Sequence, residues 1–162
     1  MRETIARVRA AAARHGRNPR FSLSLRPVLA ATEEAAWKRA DEIVEQTRAT
    51  RIKAGLKTEG HAPPNAGSRR LLEAAAQGTR LDRRLWTGVA AVTGASGNST
   101  GLVGTPGQVA EALLDYYDLG VSTFLIRGFD PLPDAVAYGR DLIPLARELV
   151  AARDALAPRV AS

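Results

Sequence analysis

The sequence has no cysteine. That removes disulfides, thiolate zinc sites and a cysteine nucleophile. Its two histidines, His15 and His61, stand too far apart for any metal-ligand spacing, so no metal is expected. Aromatic residues make up 5% of the chain, and none alternates with a basic run as a base-stacking platform would require. No apolar run approaches the roughly 20 residues of a membrane span, and the N-terminus lacks a secretory apolar core. These gaps point to a cytoplasmic chain with neither membrane nor nucleic acid as its partner.

What is present is ordinary in amount. The chain has 162 residues, 45% of them apolar and 25% charged, which suits one globular domain spanning 1–162. It is too short for a complete (β/α)8 barrel, which takes about 250 residues. The net charge of +6 comes from 20 arginines and 3 lysines against 17 acids. Most arginines are scattered through an alanine-rich background. Solvated helix faces and loops account for them better than a nucleic-acid groove does.

Ile5, Val8 and Ala12 fall on one stripe and predict a first helix over 2–15, stopped by Gly16. Residues 21–29 alternate, with Phe21, Leu23, Leu25 and Leu29 on one side and Ser22, Ser24 and Arg26 on the other, which is a strand. Thr32 caps a helix from Glu33 to about Thr47, with Ala36, Ala40, Ile43 and Val44 as its buried face. Glycines and prolines among charges make 50–65 a flexible loop or insertion. A short helix over 68–77 and an apolar stretch over 85–92 follow. Residues 94–101 are small, polar and glycine-rich.

The clearest signal is Gly104-Thr105-Pro106-Gly107-Gln108. Thr105 is the cap, Pro106 takes the first helical position and Gln108 completes a capping box. A strand over 122–127, apolar on both sides, reads as buried on both faces. Asp130 reads as the cap of a last helical region, 132–156, which Pro144 should kink or split. The second half thus alternates strand and helix, an α/β pattern with a parallel sheet.

Binding residues of parallel sheets gather at the C-terminal ends of strands. Three places qualify. Ser24 and Arg26 form the wet side of a half-exposed strand or, in a barrel, an inward anion ligand. The loop from Thr93 to Gly101 is either a phosphate cradle or lid, or a plain flexible connection; it matches neither a Walker sequence nor a dinucleotide fingerprint. The junctions at Gly104-Thr105 and Arg127-Gly128-Phe129 open onto helix N-termini, where phosphate is commonly held. Turn chemistry accounts for Thr105 and Asp130 but not for an arginine ending a buried strand. No catalytic triad or carboxylate pair is visible, so hard chemistry would belong to a cofactor.

The stretch from Gly101 to Leu132, with its Gly-Thr-Pro-Gly-Gln turn and Phe-Leu-Ile-Arg-Gly-Phe strand end, resembles the C-terminal end of luciferase-like, flavin-dependent monooxygenases. The alkanesulfonate monooxygenases look closest. Leu85-Trp86-x-Gly88, Ala13-Arg-His-Gly-Arg17 and Thr32-Glu-Glu-Ala-Ala-Trp37 are similar to theirs. The resemblance covers nearly the whole chain in order. It implies the C-terminal half of a (β/α)8 TIM barrel, with reduced FMN supplied by a separate NAD(P)H-dependent reductase. Molecular oxygen and a small organic substrate complete the reaction, which in the alkanesulfonate group releases sulfite and an aldehyde.

Carried over by position, the resemblance implies a catalytic role for Arg26 and substrate contacts at Ser24, Thr93 and Phe129. The two strand-end junctions make Gly104, Thr105, Arg127 and Gly128 the candidate cofactor contacts, and of these Gly128 is a feature the family shares. The alkanesulfonate group has an arginine and a histidine where Ser24 and Arg26 stand, an arginine near Thr93 and a tyrosine at Phe129. Either Arg26 replaces a lost anion contact or the substrate is not a sulfonate. Family members are more than twice this length, so the chain reads as a truncated or split gene product, or one whose start was chosen too late. Such a fragment should be inactive by itself and should expose sheet edges. Its rival reading is a non-enzymatic half-barrel that pairs with its missing half or forms a homo-oligomer.

Overall fold

The computed structural model describes residues 1–60, 62–63, 65–97 and 99–156. His61, Pro64 and Asn98 lie outside them. Among the described residues seven helices and five strands follow one another: α1 (Arg2–Ala13), β1 (Phe21–Leu29), α2 (Glu33–Lys53), α3 (Ala66–Ala76), β2 (Arg80–Leu81), β3 (Leu85–Trp86), α4 (Gly88–Thr93), β4 (Gly101–Gly104), α5 (Pro106–Asp118), β5 (Val121–Ile126), α6 (Pro131–Ala137) and α7 (Ile143–Leu156). A single π-helical turn, Tyr138–Leu142, joins α6 to α7. It falls just before Pro144, where the sequence calls for a break. Among the described residues no helix is long and apolar enough to cross a membrane.

The α/β class and the parallel central pairing are as expected. The sheet order is β2-β3-β4-β1-β5. Strand β1 pairs in parallel with β4 through its last four residues and with β5 through its first five. A barrel would lay β1, β4 and β5 side by side in that order. Here the outer edge of β4 is taken by β3, with Leu85 opposite Leu102 and Trp86 opposite Gly101. Strand β5 therefore uses the other edge of β1. The chain moves one way across the sheet and then back. Right-handed connections in both directions put the intervening helices on opposite faces.

Two hydrophobic clusters record this. On one face Leu25, Leu29 and Leu102 meet Val109, Ala110 and Leu113 of α5, with Tyr138 and Leu142 behind them. On the other, Val28 and Val103 meet Ala36, Ala40 and Ile43 of α2, with Trp86 and Val89. The alternation of strand side chains separates neighbouring residues between the two clusters. Gly101 is required by this packing: a Cβ there would sit 2.8 Å from the Trp86 ring and 2.9 Å from the Arg26 carbonyl.

Three details correct the sequence reading. Helix α2 runs to Lys53, because no breaker occurs before Gly55, so the first residues of the supposed 50–65 loop are helical. The apolar stretch over 85–92 splits into the short β3 and α4. Strand β5 is not buried on both faces. It is an edge strand, and its alternate residues Thr123 and Leu125 are exposed, Leu125 to 65%.

Candidate functional site

The three parallel strands end at one edge of the sheet, and two strand-to-helix turns stand there. The β5–α6 turn is built around Asp134. This carboxylate is 2% exposed, and its Oδ2 accepts from the amides of Phe129 (2.8 Å) and Asp130 (3.0 Å). Its Oδ1 pairs with Arg39 of α2 at 2.5 Å. Arg39 also donates to the Leu29 carbonyl at the end of β1 (3.1 Å). A single buried acid thus ties the turn to α2 and β1. Asp130 makes no side-chain cap, so Asp134 takes the role that the sequence reading gave to Asp130.

Above this turn lies Arg26. Its Nη1 donates to the Gly128 carbonyl (3.0 Å), and its guanidinium stands 4.8 Å over the Phe129 ring, a cation–π contact. The Phe129 ring in turn meets Trp86 edge-on at 5.9 Å. Burial, and after it the charge of Arg127, lowers the Arg26 pKa. Tyr138 donates to the Pro27 carbonyl at 2.5 Å. Burial, with Asp134 next in order, raises its pKa.

Beside the turn is a cavity of about 600 Å³ between α2, the end of α4 and the β5–α6 turn. Arg39, Thr47, Arg51, Thr93, Phe129 and Asp130 are among its lining residues. The Thr93 hydroxyl donates back to the Val89 carbonyl (2.7 Å).

The β4–α5 turn is different. Thr105 and Gln108 form the expected capping box: the Thr105 amide donates to Gln108 Oε1 (2.9 Å), and the Gln108 amide donates to the Thr105 hydroxyl (3.4 Å). Gln108 Nε2 donates to Glu33 Oε2 (2.9 Å). Glu33 Oε1 forms an ion pair with Arg84 Nη1 at 2.7 Å. These partners, Arg84 first and Gln108 second, hold the Glu33 carboxyl down at about 2.

The structure therefore brings Arg26, Arg127, Gly128, Phe129 and Thr93 into one neighbourhood and sets Gly104 and Thr105 in another. Ser24 is exposed on β1 and does not line the cavity. Arg127 is exposed at the end of an edge strand, not a buried one. Three contributors were not singled out for the site in the sequence: Arg39, Trp86 and Asp134. Asp134 carries a faint signal, an acid in the first turn of a helix that opens Pro-Leu-Pro.

A flavin phosphate fits poorly at either turn as folded. The amides of Phe129 and Asp130 are already bonded to Asp134, and the Thr105 amide to Gln108. A Cβ on Gly128 would overlap the Asp134 side chain, and one on Gly104 would lie 2.9 Å from Gln108 Oε1. The cradles that those glycines could offer are filled from within. The Glu33 carboxylate beside the α5 N-terminus would also repel an anion.

Two comparisons bear on the chain. The family model described as luciferase-like monooxygenase matches residues 1–123. Among solved structures, EDTA monooxygenase from Chelativorans sp. BNC1 superposes with a TM-score of 0.58 at 23% identity, over 91% of this chain and 36% of that one. The chain thus spans about a third of that neighbour's length and shares its fold in part, with β5 on the other edge of β1 from where a barrel would place it.

Proposed function

The chain belongs to the luciferase-like monooxygenase family, and on that premise we propose that it forms the cavity-bearing portion of a flavin-dependent monooxygenase. The observation that carries the reading is the cavity beside the β5–α6 turn. Two residues assigned to substrate by the resemblance, Thr93 and Phe129, line it together, and Arg26 lies across Phe129. A small organic anion fits this chemistry best. Its charged group would face Arg39 and Arg51 of the lining and its apolar part the Phe129 ring, which Arg26 covers, and an alkanesulfonate meets both demands. The reaction would draw on molecular oxygen and on reduced FMN from an NAD(P)H-dependent reductase. The flavin phosphate would be held outside the two turns described above, since their amides are satisfied internally. Activity of this chain by itself is not expected.

The test is substrate binding followed residue by residue. Adding a short-chain alkanesulfonate to the 15N-labelled chain should shift the amide resonances of Thr93, Phe129 and Asp130 and the Nε signal of Arg51. Arg51→Ala should abolish the amide shifts. Shifts confined to other residues, or unchanged by that substitution, would overturn the assignment of the cavity.

A second reading, an association module, is favoured by one observation: β5 ends the sheet with its outer edge unpaired among the described residues.

A further inference from the structure

The charges in the lining of the cavity beside the β5–α6 turn can be matched one by one. Arg39 and Arg51 are positive, and Glu42 and Asp130 are negative. Arg39 is already paired with the buried Asp134. Glu42 pairs loosely with Lys38 at 4.0 Å, where both side chains are largely exposed. Arg51 gives its Nε to the Lys57 carbonyl (2.8 Å), and among the described residues it has no ion-pair partner. The Asp130 carboxylate makes no cap. Only the amide of that residue is engaged, by Asp134. The lining therefore holds one uncommitted cation, Arg51, and one uncommitted anion, Asp130.

Two hydroxyls add to the negative side. A hydroxyl has one proton to give and lone pairs with which to accept. Thr47 lies 2.7 Å from the Ile43 carbonyl and Thr93 lies 2.7 Å from the Val89 carbonyl. A carbonyl can only accept, so both threonines have committed their protons to their own helices. Toward a ligand each can only accept. Gln46 and Thr50, also in the lining, can donate or accept and favour neither kind. A plain alkanesulfonate has no donor for these acceptors. It would also bring a net negative charge to a lining whose own charges cancel, and leave Asp130 unmatched.

We infer that the cavity takes an amino-substituted alkanesulfonate, with its sulfonate at Arg51 and its ammonium at Asp130. This deepens the reading of the cavity as a substrate site and rests on it. An ammonium donates hydrogen bonds and accepts none, which is what Asp130, Thr47 and Thr93 call for. The zwitterion carries no net charge, as the lining carries none. The Phe129 ring is left for the methylenes between the two charged groups. Asp130 thereby becomes the residue that sets specificity.

Two ligands of nearly equal size separate charge from shape. The ω-amino derivative of propanesulfonate has an ammonium where butanesulfonate has a methyl. Each is titrated into the 15N-labelled chain and followed at the amides of Thr93, Phe129 and Asp130. The aminosulfonate should bind about tenfold more tightly, as a charge-assisted hydrogen bond warrants. Asp130→Asn should weaken the aminosulfonate until the two ligands differ by about twofold or less. Asp130 is exposed and caps nothing, so the fold should survive, and unchanged resonances away from the cavity check this. Thr93→Val keeps the shape and removes an acceptor, and should reduce the preference by about threefold. Equal affinities in the wild-type chain would overturn the inference and leave the alkanesulfonate reading standing. So would a preference that survives Asp130→Asn. If neither ligand shifts these amides, the reading of the cavity falls, and the inference with it.

Discussion

The β4–α5 and β5–α6 turns do the same job by different means. Each leads from the end of a parallel strand into a helix, and in each an oxygen from the helix satisfies the amides of the turn. At β4–α5 the oxygen comes from Gln108, three residues from Thr105, and the network runs on through the exposed Glu33 of α2 to Arg84. At β5–α6 it comes from Asp134, which is buried and tied to Arg39, 95 residues away in the chain. The first turn is closed locally by its capping box, and its link to α2 runs through an exposed carboxylate. The second is a tertiary clamp, and it fixes the Phe129 ring beneath Arg26. The candidate site has grown on the clamped turn.

This contrast fixes the order of expected effects. Asp134→Ala should be the most damaging change, since it leaves Arg39 and two amides without their partner. Breaking a buried pair costs about 3–5 kcal/mol. Arg39 is one-third exposed, so the loss should fall near the lower end, read as a drop in stability by urea unfolding. A loss no larger than that of a surface substitution would remove the clamp from the account. Gly128→Ala should come next. The added methyl overlaps the Asp134 side chain, and overpacking of this kind costs about 1–3 kcal/mol. The same measurement should give a smaller loss for Gly104→Ala, because Gln108 can swing away.

At the local turn, Thr105→Ala should cost about 1 kcal/mol, the usual value of an N-cap. The smallest effect belongs to Glu33, and it depends on pH. Its folded pKa of about 2 lies below the ordinary 4.5, so the unfolded state binds its proton more readily. Above pH 4.5 the carboxylate contributes its full share of stability. That share shrinks as the pH falls toward 2 and vanishes below it. Wild type and Glu33→Gln, compared by thermal unfolding from pH 6 to pH 2, should therefore converge at the acid end. A constant difference across that range would show that Glu33 is not held by Arg84 and Gln108.

The same contrast explains what could be read from the sequence. The Thr105 box, the Thr32 cap and the whole of β1 are legible because their signals lie within a few residues. Gly16 turns at φ 64°, as a helix stop should. Asp130 stands where a cap precedes its helix, whereas the working acid, Asp134, is inside the helix and reaches backward. Strand β3 is two residues long, too short to show a period, yet by covering the edge of β4 it decides where β5 must go. The exposure of Leu125 follows from that placement. Residue types alone could not reveal it, since Ser-Thr-Phe-Leu-Ile reads equally well as a buried strand. The glycines at 104 and 128 were correctly located at the strand ends. What fills their cradles is a side chain of the protein itself, which only the assembled turns reveal.

The central claim is that these two turns are satisfied from within and hold no cofactor phosphate. Titrating FMN into the purified, folded chain and following its fluorescence tests this directly. No saturable quenching is expected at micromolar FMN. Saturable micromolar binding, lost on Gly128→Ala, would contradict it and would return the phosphate to the β5–α6 turn.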